Sequence, residues 1–100
     1  MYLLEKTLEF DNWLRKLRDY KAKAKILFRL QRVESGNLGD FKRVSHGLTE
    51  LKIPYGKGYR IYFKKTDNQL ILLLIGGDKS TQEKDIDKAK KIWEQYQKIN

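Results

Sequence analysis

The sequence predicts an α+β fold: a mostly antiparallel sheet of about four to five strands, preceded by a helical hairpin and followed by one helix. Two observations lead there. Apolar residues recur at helical spacing over residues 10–33 and 86–96, whereas residues 41–75 alternate with period two or run apolar. Turn-forming residues also break that middle stretch at hairpin-like intervals, so successive strands should run antiparallel. The chain has 100 residues, which suits one domain over residues 1–100 with one compact core.

Met1 to Lys6 reads as a short strand. Thr7 then has the chemistry of a helix N-cap, with Glu9 and Asp11 in the first turn, where acidic groups suit the helix dipole. Phe10, Trp13, Leu14 and Leu17 form its apolar face. Asp19 is a second cap; Ile26, Leu27, Leu30 and Val33 give the next helix a face, and Gly36 ends it. Lys21, Lys25, Arg29 and Arg32 fall on the opposite side, so the hairpin should present a basic outer surface. Phe41 to Val44 is a candidate strand that ends in a turn at His46-Gly47. Thr49 to Ile53 alternates, Pro54 to Gly58 marks a loop, and Tyr59 to Lys64 alternates again. In the latter, Tyr59, Ile61 and Phe63 point one way and Arg60, Tyr62 and Lys64 the other. Asp67-Asn68 supplies a turn. Leu70 to Ile75 is apolar throughout, as a strand covered on both faces requires. Ser80-Thr81-Gln82-Glu83 matches a capping box, with Ser80 as cap, before a helix whose Ile86, Ala89, Trp93 and Tyr96 share a face.

Charge narrows the function classes. Lys and Arg number 22 against 13 Asp and Glu, a net charge of +9. An excess of this size points to a polyanionic partner: nucleic acid, an anionic membrane or an acidic protein segment. The plainer alternative is that lysine keeps the protein soluble. Cysteine is absent, which excludes disulfides and thiolate chemistry, and a single histidine, His46, argues against an ordinary zinc site. Met1 to Lys6 is neither a signal peptide nor a lipidation motif, and Leu70 to Ile75 is too short to span a bilayer. The expectation is a cytoplasmic protein with no membrane partner. If the helices cover one face of the sheet, Lys52, Arg60, Tyr62 and Lys64 lie on the other. A face of basic and aromatic side chains can meet phosphates and stack bases.

Several segments carry a family resemblance: Glu50-Leu51-Lys52-Ile53, then Gly56-Lys57-Gly58-Tyr59-Arg60-Ile61-Tyr62-Phe63, then Leu72 through Gly76-Gly77-Asp78-Lys79-Ser80-Thr81-Gln82, then Asp85-Ile86 and Ala89-Lys90. With the opening Phe10-Asp11-Asn12-Trp13-Leu14, they resemble the RelE/ParE toxin superfamily, and within it the HigB-like branch of addiction module killer proteins. The resemblance runs over nearly the whole chain. It implies the RelE-like fold and the toxin of a type II toxin–antitoxin pair. RelE-like members enter the ribosomal A site and cut mRNA; ParE-like members poison DNA gyrase. HigB-like members are similar to RelE in activity, and their antitoxins usually carry a helix-turn-helix domain. Three functions stay open: a ribosome-dependent mRNA endoribonuclease, a gyrase poison, and a non-toxic nucleic-acid-binding relic.

RNA cleavage by 2′-hydroxyl attack needs neither metal nor cofactor. It needs a proton acceptor, charge stabilisation at the phosphorane and a proton donor. Arg60 is the first candidate for charge stabilisation, because its fork fits a phosphate and it stays charged; the resemblance points to the same residue. The alternative for Arg60 is a structural ion pair on the sheet, with Glu50 as a possible partner. Lys52 should share its face; it is a phosphate contact, or a base if the surrounding positive charge lowers its pKa, or else a solvated strand lysine. Lys79 follows the buried strand, where loops commonly carry sites, or it only shapes the turn with Asp78. Lys57, Tyr62 and Lys64 are candidate RNA contacts, and Lys21, Lys25, Arg29 and Arg32 candidate antitoxin contacts. His46 reads as a solvated turn residue, and Tyr59, Trp13 and Trp93 as core. The glycines flanking Lys57 make a loop, not a dinucleotide fingerprint. Many RNA-cleaving relatives have a tyrosine or histidine near the C-terminus. Here that region lacks histidine, and Tyr96 is expected to face the core, so no general acid is assigned.

Overall fold

A computed structural model describes residues 1–66 and 69–99, so the turn expected at Asp67-Asn68 lies outside the described residues. Strand β1 (Leu3–Lys6) leads into helix α1 (Leu8–Lys16), and Thr7 joins them. Its hydroxyl accepts a hydrogen bond from the Phe10 amide at 3.0 Å and donates one to the Leu74 carbonyl at 2.8 Å. One side chain thus caps the helix and ties its start to the sheet. Asp19 caps helix α2 (Tyr20–Glu34) in the same way, accepting from the Ala22 amide at 3.0 Å. At the other end of α2, the Gly36 amide bonds the Val33 carbonyl and the Asn37 amide bonds the Arg32 carbonyl. That is a Schellman closure, and it needs the left-handed φ of 98° that Gly36 supplies.

The rest of the sheet is β2 (Phe41–Arg43), β3 (Thr49–Ile53), β4 (Tyr59–Lys65) and β5 (Leu70–Gly77), followed by helix α3 (Gln82–Ile99). The five strands lie in the order β1-β5-β4-β3-β2. All pairs are antiparallel except β1 with β5, where Leu3 to Lys6 run beside Leu70 to Leu73. The fold class read from the sequence therefore holds. The start of α3 differs from expectation. The cap is Asp78, not Ser80: its carboxylate accepts from the Ser80 amide at 2.9 Å and opens a 3₁₀ turn over Lys79–Thr81 that runs into α3. Asp78 follows β5 directly and its carboxylate is within reach of the Ser80 amide, so the helical turn begins two residues earlier than the capping box implied.

The sheet buries both faces, which corrects the expectation of one open face. On one side Leu51, Ile53, Tyr59, Ile61, Phe63, Ile71 and Leu73 pack against Phe10 and Leu14 of α1 and Ile26, Leu30 and Val33 of α2. On the other, Tyr62, Leu72, Leu74 and Ile75 pack against Ala89 and Ile92 of α3, with Ile86, Trp93 and Tyr96 partly buried around them. The physical reason is visible in β5. Its run of apolar residues has two hydrophobic faces, and each buried leucine or isoleucine contributes about 1.5–3 kcal/mol, so the apolar stripe of α3 docks on the second face. The register between β4 and β5 shifts there: Tyr62 pairs with Ile75 but Phe63 with Leu73. This bulge turns Leu74 and Ile75 both towards α3.

A candidate nucleic-acid interface around Arg60

The register brings two of the candidate cations, Lys52 and Arg60, to one corner of the sheet, and the adjoining loops add Lys57 and Lys79. Lys52 pairs with Arg60 across β3 and β4, and Arg60 pairs with Gly77 across β4 and β5. The loop that carries Lys57 folds over the start of β4, where Gly56 and Gly58 take left-handed φ values of 57° and 75°. The Lys79 amide then donates to the Lys57 carbonyl at 3.3 Å, which fastens this loop to the corner between β5 and α3. Lys52, Lys57 and Lys79 are all exposed. Lys57 and Lys79 line one open cavity of about 510 Å³ together with Asp78 and Ser80. The Ser80 hydroxyl and amide hold the Asp78 carboxyl below the usual carboxylate range, against some desolvation, with smaller pulls from Lys57 and Arg60.

Arg60 itself is placed otherwise than expected. Its side chain is only 6% exposed, and it faces the 1%-exposed side chain of Glu50, with Nε 3.8 Å from Oε1. Nη1 donates to the Gly58 carbonyl at 2.7 Å. Gln82 of α3 donates to the other Glu50 oxygen at 3.3 Å. The ion pair left open by the sequence is therefore present, and the guanidinium is largely covered. Tyr62, a candidate RNA contact, is fully buried under α3. Burial, then the charge of Glu50, pushes its phenol well above the ordinary tyrosine range. Among the described residues, Glu50 Oε1, Arg60 Nε and the Tyr62 hydroxyl are buried with no protein hydrogen-bond partner. Such groups are costly unless something completes them. Sequence reasoning placed Glu50 beside Arg60 only as a possibility and missed Gln82, whose role depends on where α3 docks.

The remaining candidates separate clearly. Lys64 is half-buried; its ammonium donates to the Gly47 carbonyl at 3.2 Å and lies 5.7 Å from the centre of the Trp93 ring, so it holds the His46 turn against α3. Arg29 is not on the outer surface of the hairpin. It is 9% exposed, and its guanidinium donates to the carbonyls of Leu38, Asp40 and Lys52 at 2.6–3.0 Å. Desolvation lowers its pKa from the usual arginine value, partly offset by Asp40. Lys21, Lys25 and Arg32 are exposed, as expected. His46 is exposed, with a left-handed φ of 64°. Among the described residues no group of three His, Cys, Asp or Glu side chains is arranged to hold a metal ion, and no helix is long and apolar enough to cross a membrane.

The family model for phage-derived Gp49-like proteins matches residues 12–94. A protein of Haemophilus influenzae with no assigned function is 53% identical over 87 residues, covering 87% of this chain and 88% of its own. Among solved structures, a mutant of the Escherichia coli toxin RelE in the free state superposes with a TM-score of 0.70 at 17% identity, over 91% of this chain and 97% of RelE. A chain of the Mycobacterium tuberculosis RelBE2 toxin–antitoxin complex gives 0.60 at 18% identity, over 78% and 98% of the two chains. A chain of the intact E. coli RelBE complex gives 0.51 at 20%, over 78% and 96%.

Proposed function

The chain belongs to the Gp49-like family of phage-derived proteins and has the fold of the RelE toxins, and from this premise we propose that it is the toxin of a type II toxin–antitoxin pair that cleaves mRNA on the ribosome. The observation that carries the reading is the grouping of Lys52, Lys57 and Lys79 around the Arg60 corner of that fold. Three exposed ammonium groups at one corner of a +9 chain attract the phosphates of an RNA strand. Cleavage then proceeds, without metal or cofactor, by bonding of the 2′-oxygen to the adjacent phosphorus as the P–O5′ bond breaks, which leaves a 2′,3′-cyclic phosphate and a 5′-hydroxyl; the 2′ proton is lost to water and the departing 5′-oxygen takes one up. The lysines hold the scissile phosphate and stabilise its developing charge. Arg60 supports them by fixing the Gly58 carbonyl and with it the loop that carries Lys57. The ribosome supplies substrate orientation.

The partner in this reading is a cognate antitoxin, with a helix-turn-helix domain as in HigB-like pairs. The neighbours from M. tuberculosis and E. coli were solved with antitoxins. The exposed Lys21, Lys25 and Arg32 offer it a basic helix face. The test is induced expression with mapping of RNA ends. Growth arrest with discrete cuts inside translated messages is expected, and Lys52→Ala/Lys57→Ala/Lys79→Ala should remove both while the protein stays folded. Intact messages during arrest refute the reading. One observation favours a second: the covered guanidinium of Arg60 is poorly placed to reach a phosphate, which suits a gyrase poison of the ParE type. Trapped DNA breaks on expression would select it.

A further inference from the structure

A second cavity lies on the far side of Asp78, between α1 and α3 at the end of β5. It has a volume of about 430 Å³, in the range of small-molecule sites, and Glu9, Asn12, Trp13, Gly77, Asp78 and Asp85 are among its walls. Its making depends on two missing side chains. A Cβ at Gly76 would overlap the Trp13 indole, and one at Gly77 would overlap the Asp85 carboxylate. Two successive glycines thus let an aromatic ring from α1 and a carboxylate from α3 close on opposite faces of one strand end. The Thr81 hydroxyl donates to Asp85 Oδ2 at 2.6 Å and orients the carboxylate. An ionised carboxylate accepts about four hydrogen bonds, so capacity remains. Burial pushes the Asp85 carboxyl up, Asp78 adds to this, and Thr81 and Lys88 oppose it.

The chemistry of this cavity contrasts with that of the chain around it. The protein carries +9, yet three carboxylates line this cavity, against Lys16 and Lys88. Phosphate is repelled from such walls. What fits is a planar group with adjacent N–H donors: its ring against Trp13 and its donors on Asp85 and Glu9, since the Asn12 side-chain oxygen already accepts from Arg15. Of the RNA bases, guanine offers a pair of neighbouring donors, N1–H and N2–H, that matches the two oxygens of one carboxylate. Asp78 is a wall of both this cavity and the one shared by Lys57 and Lys79, so the two sites are contiguous. We propose that the Trp13–Asp85 cavity is a base pocket that receives a guanine of the RNA strand whose phosphate lies at Lys57 and Lys79. The inference rests on the RNA-binding part of the proposed function and adds the base that the site reads.

The test uses the purified full-length protein without ribosomes, and guanosine 5′-monophosphate as the probe, with the adenosine, cytidine and uridine monophosphates as controls. Binding is followed by calorimetry and by the ¹H–¹⁵N signal of the Trp13 indole. Guanosine monophosphate should bind roughly tenfold more tightly than adenosine monophosphate, the discrimination expected of one bidentate contact, and should move the Trp13 signal. Asp85→Asn, which keeps an oxygen for Thr81, should erase the preference; Glu9→Gln should weaken it. Equal response to all four nucleotides overturns the proposal, as does an unchanged preference in Asp85→Asn. Binding of free arginine with no response to guanosine monophosphate also overturns it and assigns the cavity to a cationic side chain of a protein partner. Protein that prefers guanosine monophosphate but leaves messages intact in cells keeps the pocket and loses the cleavage reading; protein that cuts messages without the preference does the reverse.

Discussion

Replacing Arg29 by methionine should destabilise the protein severely, although the sequence gives that residue the look of a surface charge. Arg29 makes four hydrogen bonds to three backbone carbonyls, those of Leu38, Asp40 and Lys52, from a side chain 9% exposed. They join α2 to the segment before β2 and to the end of β3. A hydrogen bond to a charged group contributes about 1.5–3 kcal/mol net. The four do not add fully, because Gly39 and Asp40 are exposed and water can reach part of that segment after the change. The expected loss is about 3–5 kcal/mol, against a total stability of roughly 5–15 kcal/mol for a domain of this kind. The corresponding fall in melting temperature is on the order of 20 °C. Urea and thermal unfolding, followed by circular dichroism, would measure it beside Arg32→Met, which removes an exposed arginine one turn away and should change little. Arg29→Lys should recover less than half, since one ammonium cannot span three carbonyls. If Arg29→Met unfolds within about 1 kcal/mol of Arg32→Met, the clamp is not energetically significant and the reasoning fails.

Two further outcomes follow from the covered side of the sheet. Glu50→Ala strands the Arg60 guanidinium in a buried position and should cost about 3–5 kcal/mol, whereas Glu50→Leu/Arg60→Met should regain most of that loss; a double-mutant cycle in urea measures the coupling, and a double variant no better than Glu50→Ala contradicts the pairing. Asp85 is held protonated to a higher pH in the folded chain than in the unfolded one, because burial raises its pKa. Its contribution is fully present below the unfolded carboxylate range and is lost as pH rises through the folded value, so the melting temperature of Asp85→Asn relative to the parent should climb as pH rises from below the ordinary carboxylate range to above it. A flat or falling difference over that window would contradict the assigned burial.

The elements were legible where local chemistry decides them. Thr7 and Asp19 cap their helices, and alternation sorts Tyr59, Ile61 and Phe63 from Arg60, Tyr62 and Lys64 onto opposite faces. Which face meets water is not a local property. It depends on where α3 docks, and the apolar run of β5 carried that signal: a strand with two hydrophobic faces needs two covers. The open-face reading of Tyr62 and Arg60 overlooked it. Arg29 was misread for a related reason. Its helix position is one turn from both Ile26 and Val33, at the edge of the apolar stripe, where the segment after α2 turns back to put the Leu38 and Asp40 carbonyls over it and β3 adds that of Lys52. Lys52, Lys57 and Lys79 were each legible as exposed cations, while their adjacency comes from the β3–β4 register and from one amide–carbonyl bond between Lys57 and Lys79.

The parallel pairing of β1 with β5 sets an order of events in synthesis. The Thr7 hydroxyl that fastens the first helix to the sheet bonds a carbonyl 67 positions later in the chain, and β1 finds its neighbours only at Leu70 to Leu73. A contact across so long a stretch is closed late, because the entropy of the intervening loop must be overcome before any hydrogen bond is gained. While the chain is still being made, its first strand waits without a partner and its two leading helices have no completed floor to rest on. A protein proposed to act on the translation machinery therefore cannot complete its sheet, or become competent, until that machinery has passed the β5 segment.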